Sequence, residues 1–155
     1  MPDPTPGLGG LADLDFASIT PAEFAALVKK LSGKEIAELM RGDLRTRVLA
    51  EIFARMVRQF RPESAGSLRA LIRWEVLGDP AVVYETTIAD GACTVREGRS
   101  DAEPRVTLTL RDAEFLRLVS GNGSPVTMFM TRKLKVGGDI GLASGLTRLF
   151  DIPKA

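Results

Sequence analysis

Gly137, Gly138, Gly141 and Gly145 follow a lysine-rich segment, RKLKV, and run into LASGLTRLF. Strand, glycine turn and helix in that order could cradle a nucleotide phosphate on backbone N–H groups. The spacing argues otherwise. A dinucleotide fold needs G-x-G-x-x-G, and a phosphate loop ends in Gly-Lys-Ser/Thr; neither is met here. Other chemistries are narrowed by composition. The chain has no histidine, the usual general base and metal ligand near neutral pH, so hydrolase triads and most transition-metal sites are disfavoured. Its single cysteine, Cys93, has no partner at metal-ligand spacing and no disulfide partner in the chain. No paired-carboxylate motif stands out, and an enzyme using carboxylates or Arg132 stays open. No cofactor, metal or catalytic residue is expected.

Glycine inside a helix costs roughly 1 kcal/mol against alanine, so Gly141 and Gly145 need a reason. At 100° per residue Leu142, Leu146, Leu149 and Phe150 form one stripe, and Gly141, Ser144 and Gly145 a bare strip beside it. Two readings are open: close packing on another backbone, or room for an apolar ligand. Met128, Phe129 and Met130 form an apolar run that suits either core filling or an adaptable cavity. Trp74 divides the same way.

The elements that must position these residues follow from period. Thr20, Pro21 and Glu23 mark a helix start that Gly33 closes, and KEIAELMRG predicts a second short helix. From Asp43, Leu44, Val48, Leu49, Ile52, Phe53, Met56, Val57 and Phe60 recur at helical spacing until Arg61-Pro62. The period then changes to two. Leu68, Ala70, Ile72, Trp74 and Val76 face one way, with Arg69, Arg73 and Glu75 the other. Asp79-Pro80 turns into AVVYETTIA, and Asp90-Gly91 predicts a hairpin into ACTVREG. RVTLTLR is a fourth strand, Asp112 caps a helix ending at Gly121, PVTMFMT is a short helix or turn, RKLKVGG a fifth strand, and Asp139 caps the last helix. The class is α+β, an antiparallel sheet with one apolar face under helices. The chain of 155 residues, 45% hydrophobic and 26% charged, suits one domain. The expected division is a disordered tail over 1–15 and one domain over 16–152, helical to 61 and sheet-forming from 66. A net charge of +1 predicts no nucleic-acid partner. The start lacks the pattern of a secretory signal, and no window has the length of apolar sequence needed to span a bilayer. A cytoplasmic, bacterial protein is expected. Arg69, Arg73, Arg105, Arg111, Lys133 and Lys135 alternate outward, a basic face suited to solvent or to anionic lipid.

The C-terminal stretch resembles the sterol carrier protein family of nonspecific lipid-transfer domains. Lys133, Leu134, Lys135, Gly138, Asp139, Gly141, Leu142 and Ala143 stand where its signature strand, glycine and helix stand. Upstream, Asp112, Phe115, Leu116, Leu118, Gly121, Pro125 and Phe129 fit the pattern too. Arg132 departs from the family's usual glycine, and residues 18–42 add helical sequence. The resemblance implies a five-stranded, mainly antiparallel sheet covered on one face by helices. It also implies an apolar tunnel between sheet and C-terminal helices, holding fatty acyl chains, sterols or similar lipids. The ligand-binding residues so implied are Ile72, Trp74, Leu108, Leu110, Leu134 and Val136 on strands. Those following the strands are Phe115, Leu118, Val126, Met128, Phe129, Met130, Ile140, Leu142, Gly145, Leu146 and Phe150. On this reading Gly137 and Gly138 permit the strand-to-helix turn, and Gly141 and Gly145 keep one cavity wall low. The expected partner is an apolar small molecule or lipid. Transient membrane contact, a partner enzyme and a homodimer are left open.

Overall fold

The computed structural model describes residues 20–78 and 80–150. The expected tail over residues 1–15 and the Asp79 half of the Asp79-Pro80 turn lie outside them. Helix α1, Pro21–Lys29, opens with the predicted capping box: the Glu23 N–H donates to Thr20 Oγ1 at 3.1 Å, and the Thr20 N–H to Glu23 Oε1 at 2.9 Å. Gly33 does not close this helix but begins the next. Ser32 and Glu35 form a second capping box at the head of α2, Gly33–Leu39. Helix α3, Gly42–Gln59, buries Val48, Leu49, Ile52, Phe53 and Met56, whereas Val57 at the edge of the stripe is exposed. A short α4, Pro62–Ala65, follows.

Period-two alternation gives β1 (Ala70–Leu77), β2 (Val82–Ala89), β3 (Ala92–Glu97), β4 (Val106–Arg111) and β5 (Leu134–Gly138). They form one sheet in the order β3-β2-β1-β4-β5. The β1–β2, β2–β3 and β4–β5 pairs are antiparallel, and β1 and β4 pair in parallel, with Trp74 opposite Leu108. The hairpin turn has positive φ at both Asp90 (54°) and Gly91 (72°), the geometry the Asp-Gly pair predicts. Helices α5 (Asp112–Val119), α6 (Pro125–Met130) and α7 (Ile140–Ser144) complete the chain with a 3-10 turn, Leu146–Arg148.

The helices cover the face bearing Ile72, Trp74, Val76, Leu108 and Leu110, all essentially inaccessible. Phe53 is the centre of this core. Its ring stacks on Tyr84 at 4.0 Å and on Phe115 at 5.3 Å between centroids, and meets Trp74 edge-on at 5.9 Å. The Trp74 indole N–H donates to Thr86 Oγ1 at 3.0 Å, which settles the polar end of a buried ring. A bridge between Phe60 and Phe150 closes the C-terminal segment onto the end of α3.

Candidate ligand-binding site

An apolar crevice opens where α1, α3, β1, α5 and the C-terminal 3-10 turn converge. Phe24, Ile52, Met56, Trp74, Leu118, Val119, Leu146 and Phe150 make its walls, with Arg55, Gln59 and Thr147 as its polar lining. The buried Arg55 guanidinium lies 3.4 Å from Glu51 Oε2. The free volume is about 30 Å³, one water's share of liquid. The walls are therefore in near contact, and a longer ligand must part them.

A second groove lies between α6, β5 and α7. It is open to solvent, with a free volume of about 90 Å³ among Pro125, Val126, Phe129, Val136, Ile140, Ala143 and Ser144. The residues expected to line one tunnel are thus divided. Trp74, Leu118, Leu146 and Phe150 reach the crevice, and Val126, Phe129, Val136 and Ile140 the groove. Ile72, Leu108, Leu110, Phe115, Met128 and Leu134 are buried in the core and line neither. Leu142 is half-buried, and Met130 stands out at 75% exposure. Sequence reasoning did not assign Ile52 and Met56 to the site, although they lie on the plain apolar stripe of α3. Phe24 was missed because α1 lies outside the resemblance.

Only one of the four glycines is required by backbone geometry. Gly138 has φ +93°, and a Cβ there would collide with the Arg105 carbonyl. At Gly137 a Cβ would make an ordinary contact with Thr107 at 3.9 Å. Gly141 is exposed, with Asp139 Oδ1 at 3.3 Å from a Cβ, and the Gly145 position meets Arg148 Nη2 at 3.2 Å. Within the bare strip, Gly145 thus lies beside the Arg148 side chain, while Ser144 lines the open groove.

Other buried titratable groups lie elsewhere in the fold. Asp112 does not cap α5 with its side chain but is the helix's first residue. Its carboxylate accepts from Arg45 Nε at 3.2 Å at both oxygens. Burial pushes the Asp112 carboxyl up, against the pull of Arg45. Burial also pushes the Cys93 thiol up to about 11, which leaves it protonated and unreactive near neutral pH. Among the described residues no group of His, Cys, Asp and Glu is arranged to hold a metal ion, and no helix is long and apolar enough to cross a membrane.

The profile described as the SCP-2 sterol transfer family matches residues 50–151. Hydroxysteroid dehydrogenase-like protein 2 of Danio rerio is 23% identical over 94 residues, which cover 61% of this chain and 23% of that protein. The chain spans about a quarter of the length of the curated relatives it matches. Among solved structures, the stereoselective inverting sec-alkylsulfatase Pisa1 from Pseudomonas sp. aligns with a TM-score of 0.58 at 16% identity, over 86% of this chain and 25% of that one. The UbiJ-SCP2 ubiquinone synthesis protein aligns with a TM-score of 0.55 at 17% identity, over 68% of this chain and 94% of that one. At these identities the structural likeness concerns the fold.

Proposed function

Since this chain belongs to the SCP-2 sterol transfer family, we propose that it is a noncatalytic binding or transfer protein for a lipid-like ligand, a fatty acyl chain or sterol. The crevice carries this reading: eight apolar side chains converge from helices and sheet, with Arg55, Gln59 and Thr147 supplying donors for a polar head. Each methylene taken from water contributes about 0.8 kcal/mol, so ten give ~8 kcal/mol before association and opening costs. A chain of about fifteen methylenes gives ~12 kcal/mol, which after ~4 kcal/mol of such costs supports roughly micromolar binding.

Trp74 is the chain's one tryptophan and lies in the crevice wall, so its emission reports on occupancy. Titration with a long-chain fatty acid, paired with displacement of a fluorescent analogue, is expected to saturate near ~1 μM. Absence of saturable binding up to the solubility limit refutes the proposal. A second reading is an accessory subunit that presents an apolar substrate to, or assembles with, an enzyme. Its support is that a similar fold forms a quarter of the Pisa1 chain and that another similar structure is a ubiquinone synthesis protein. Native mass spectrometry separates the two: a small molecule on a lone chain favours the carrier, and an empty chain on a second polypeptide the subunit.

A further inference from the structure

The crevice leaves about 30 Å³ free, so a long apolar ligand enters only where a wall gives way. Most of the walls are anchored. Helix α3 carries Leu49 and Phe53, both essentially inaccessible, and β1 is paired on both sides. Helix α5 buries Phe115, Leu116 and Leu118. The C-terminal turn is tied down by the Phe60–Phe150 bridge and by the Arg61 N–H, which donates to the Leu149 carbonyl at 2.8 Å.

Helix α1 is held differently. It has nine residues, lies before the family match, and reaches the core through Phe24, Ala25 and Val28. A hydrogen bond fastens it to the loop after α5: Asn122 Nδ2 donates to the Ala25 carbonyl at 2.9 Å. The seam between the α1–α2 layer and α5 is undercut by solvent in two places. A cleft of about 290 Å³ lies among Val28, Lys29, Arg117 and Gly121. Another of about 740 Å³ lies where Gly33 and Ala37 of α2 face Ala113 and Glu114 of α5. Segments with such sparse cover open locally, ahead of the core.

The backbone of α1 is also complete in itself. Thr20 and Glu23 cap its start, and the Lys30 and Leu31 N–H groups bond back to the Leu27 and Val28 carbonyls. Ser32 then begins a separate capping box for α2. Rotation between Leu31 and Ser32 thus leaves both helices capped. We propose that α1 is the gate of the crevice, turning at Leu31–Ser32 to draw Phe24 out of the wall, with Asn122 as its latch. This rests on the reading of the crevice as a lipid site. A latch that must break to admit a ligand opposes binding, so weakening it raises the open fraction and the apparent affinity while stability falls.

Hydrogen exchange of the full chain without lipid tests the hinge alone. A nine-residue helix lifted off its support is marginal in water, so α1 amides are expected to exchange at least ~10-fold faster than those of α3 and α5. Oleate binding, read by Trp74 emission in stopped flow, then tests the latch. Asn122→Ala is expected to bind oleate about five-fold faster and five-fold tighter, although it melts at a lower temperature. A purely structural Asn122 gives lower stability with unchanged or weaker binding, and that result overturns the proposal. So do α1 amides that exchange no faster than those of α3. If Asn122→Ala does not fold, exchange in the parent with and without oleate decides. Faster exchange of α1 in the complex supports the gate, whereas a change confined to residues 146–150 overturns it. Opening of α1 without any oleate binding keeps the hinge and removes the carrier reading instead.

Discussion

Arg73 and Glu85 face each other across β1 and β2, on the side of the sheet that alternation assigns to solvent. Both are nonetheless buried, because residues 99–102 fold over them. Arg73 Nη2 donates to the Ser100 and Ala102 carbonyls at 3.1 and 3.0 Å, Arg73 Nε to Glu85 Oε2 at 2.8 Å, and the Ser100 N–H to the same oxygen at 3.0 Å. Glu85 Oε1 has no hydrogen-bond partner, so the carboxylate depends on one oxygen for its pairing. Burial pushes the Glu85 carboxyl up, but the Ser100 hydrogen bonds and Arg73 outweigh it and hold it below the usual range. A lowered folded-state value contributes stability above the unfolded value near ~4.3, and that stability is lost as pH falls through the folded value. Glu85→Gln is expected to cost about 3–5 kcal/mol at pH 7, since it leaves Arg73 buried without its counter-charge. Its penalty should shrink toward pH 3. Melts of both proteins across that range check it, and a pH-independent difference contradicts the ion-pair account.

At the scale of elements, the glycine-rich stretch separates two kinds of substitution. Gly138→Ala, at positive φ and against the Arg105 carbonyl, is expected to destabilise by about 2–4 kcal/mol in denaturant titration. Gly145→Leu meets the far end of the Arg148 side chain and, at an ordinary contact distance of 3.5 Å, the Gly141 carbonyl, and is expected to stay within ~1 kcal/mol of the parent with fatty-acid affinity unchanged. A sharp loss of affinity in Gly145→Leu would put the glycine strip back on the ligand. The five strands were legible because period-two alternation is local, as were the Thr20 and Asp139 caps and the Asp-Gly hairpin. The burial of Arg45, the use of Asp112 as its partner and the cover over Arg73 were not. Arg45 and Asp112 stand 67 positions apart, and nothing in either local pattern pairs them. The site was legible in part for the same reason: alternation exposes the inward face of β1, while the approach of α1 and α3 to Trp74 is set by packing.

For the molecule as a whole, α1 and α2 lie before the family match and yet are integral to the core. Phe24, Val28, Leu31, Ile36, Leu39 and Met40 are all buried, and α1 and α2 both pack on α5. Deleting residues 1–41 would uncover these contacts and remove one wall of the crevice, so the truncated chain is expected to melt far below the full chain or not to fold. Full-length melting temperature with undiminished fatty-acid binding in the truncation would show these helices to be dispensable. Conversely, ligand saturation should raise the full chain's melting point in proportion to the logarithm of ligand concentration.

The parallel register of β1 with β4 also governs the order of assembly. β1, β2 and β3 join through neighbouring segments, and their closure needs only short loops. Joining β4 to β1 requires the chain to return past the whole β2–β3 hairpin, and the entropy of that return is lost before the contact is gained. The passage over the barrier should therefore occur at this seam. Leu108→Ala, in β4 opposite Trp74, is expected to slow refolding in stopped-flow traces, whereas Val95→Ala in the outer strand β3 should chiefly hasten unfolding. The outer hairpin would then form and fray many times before the seam between β1 and β4 closes, and the contacts made after that closure set the lifetime of the folded chain.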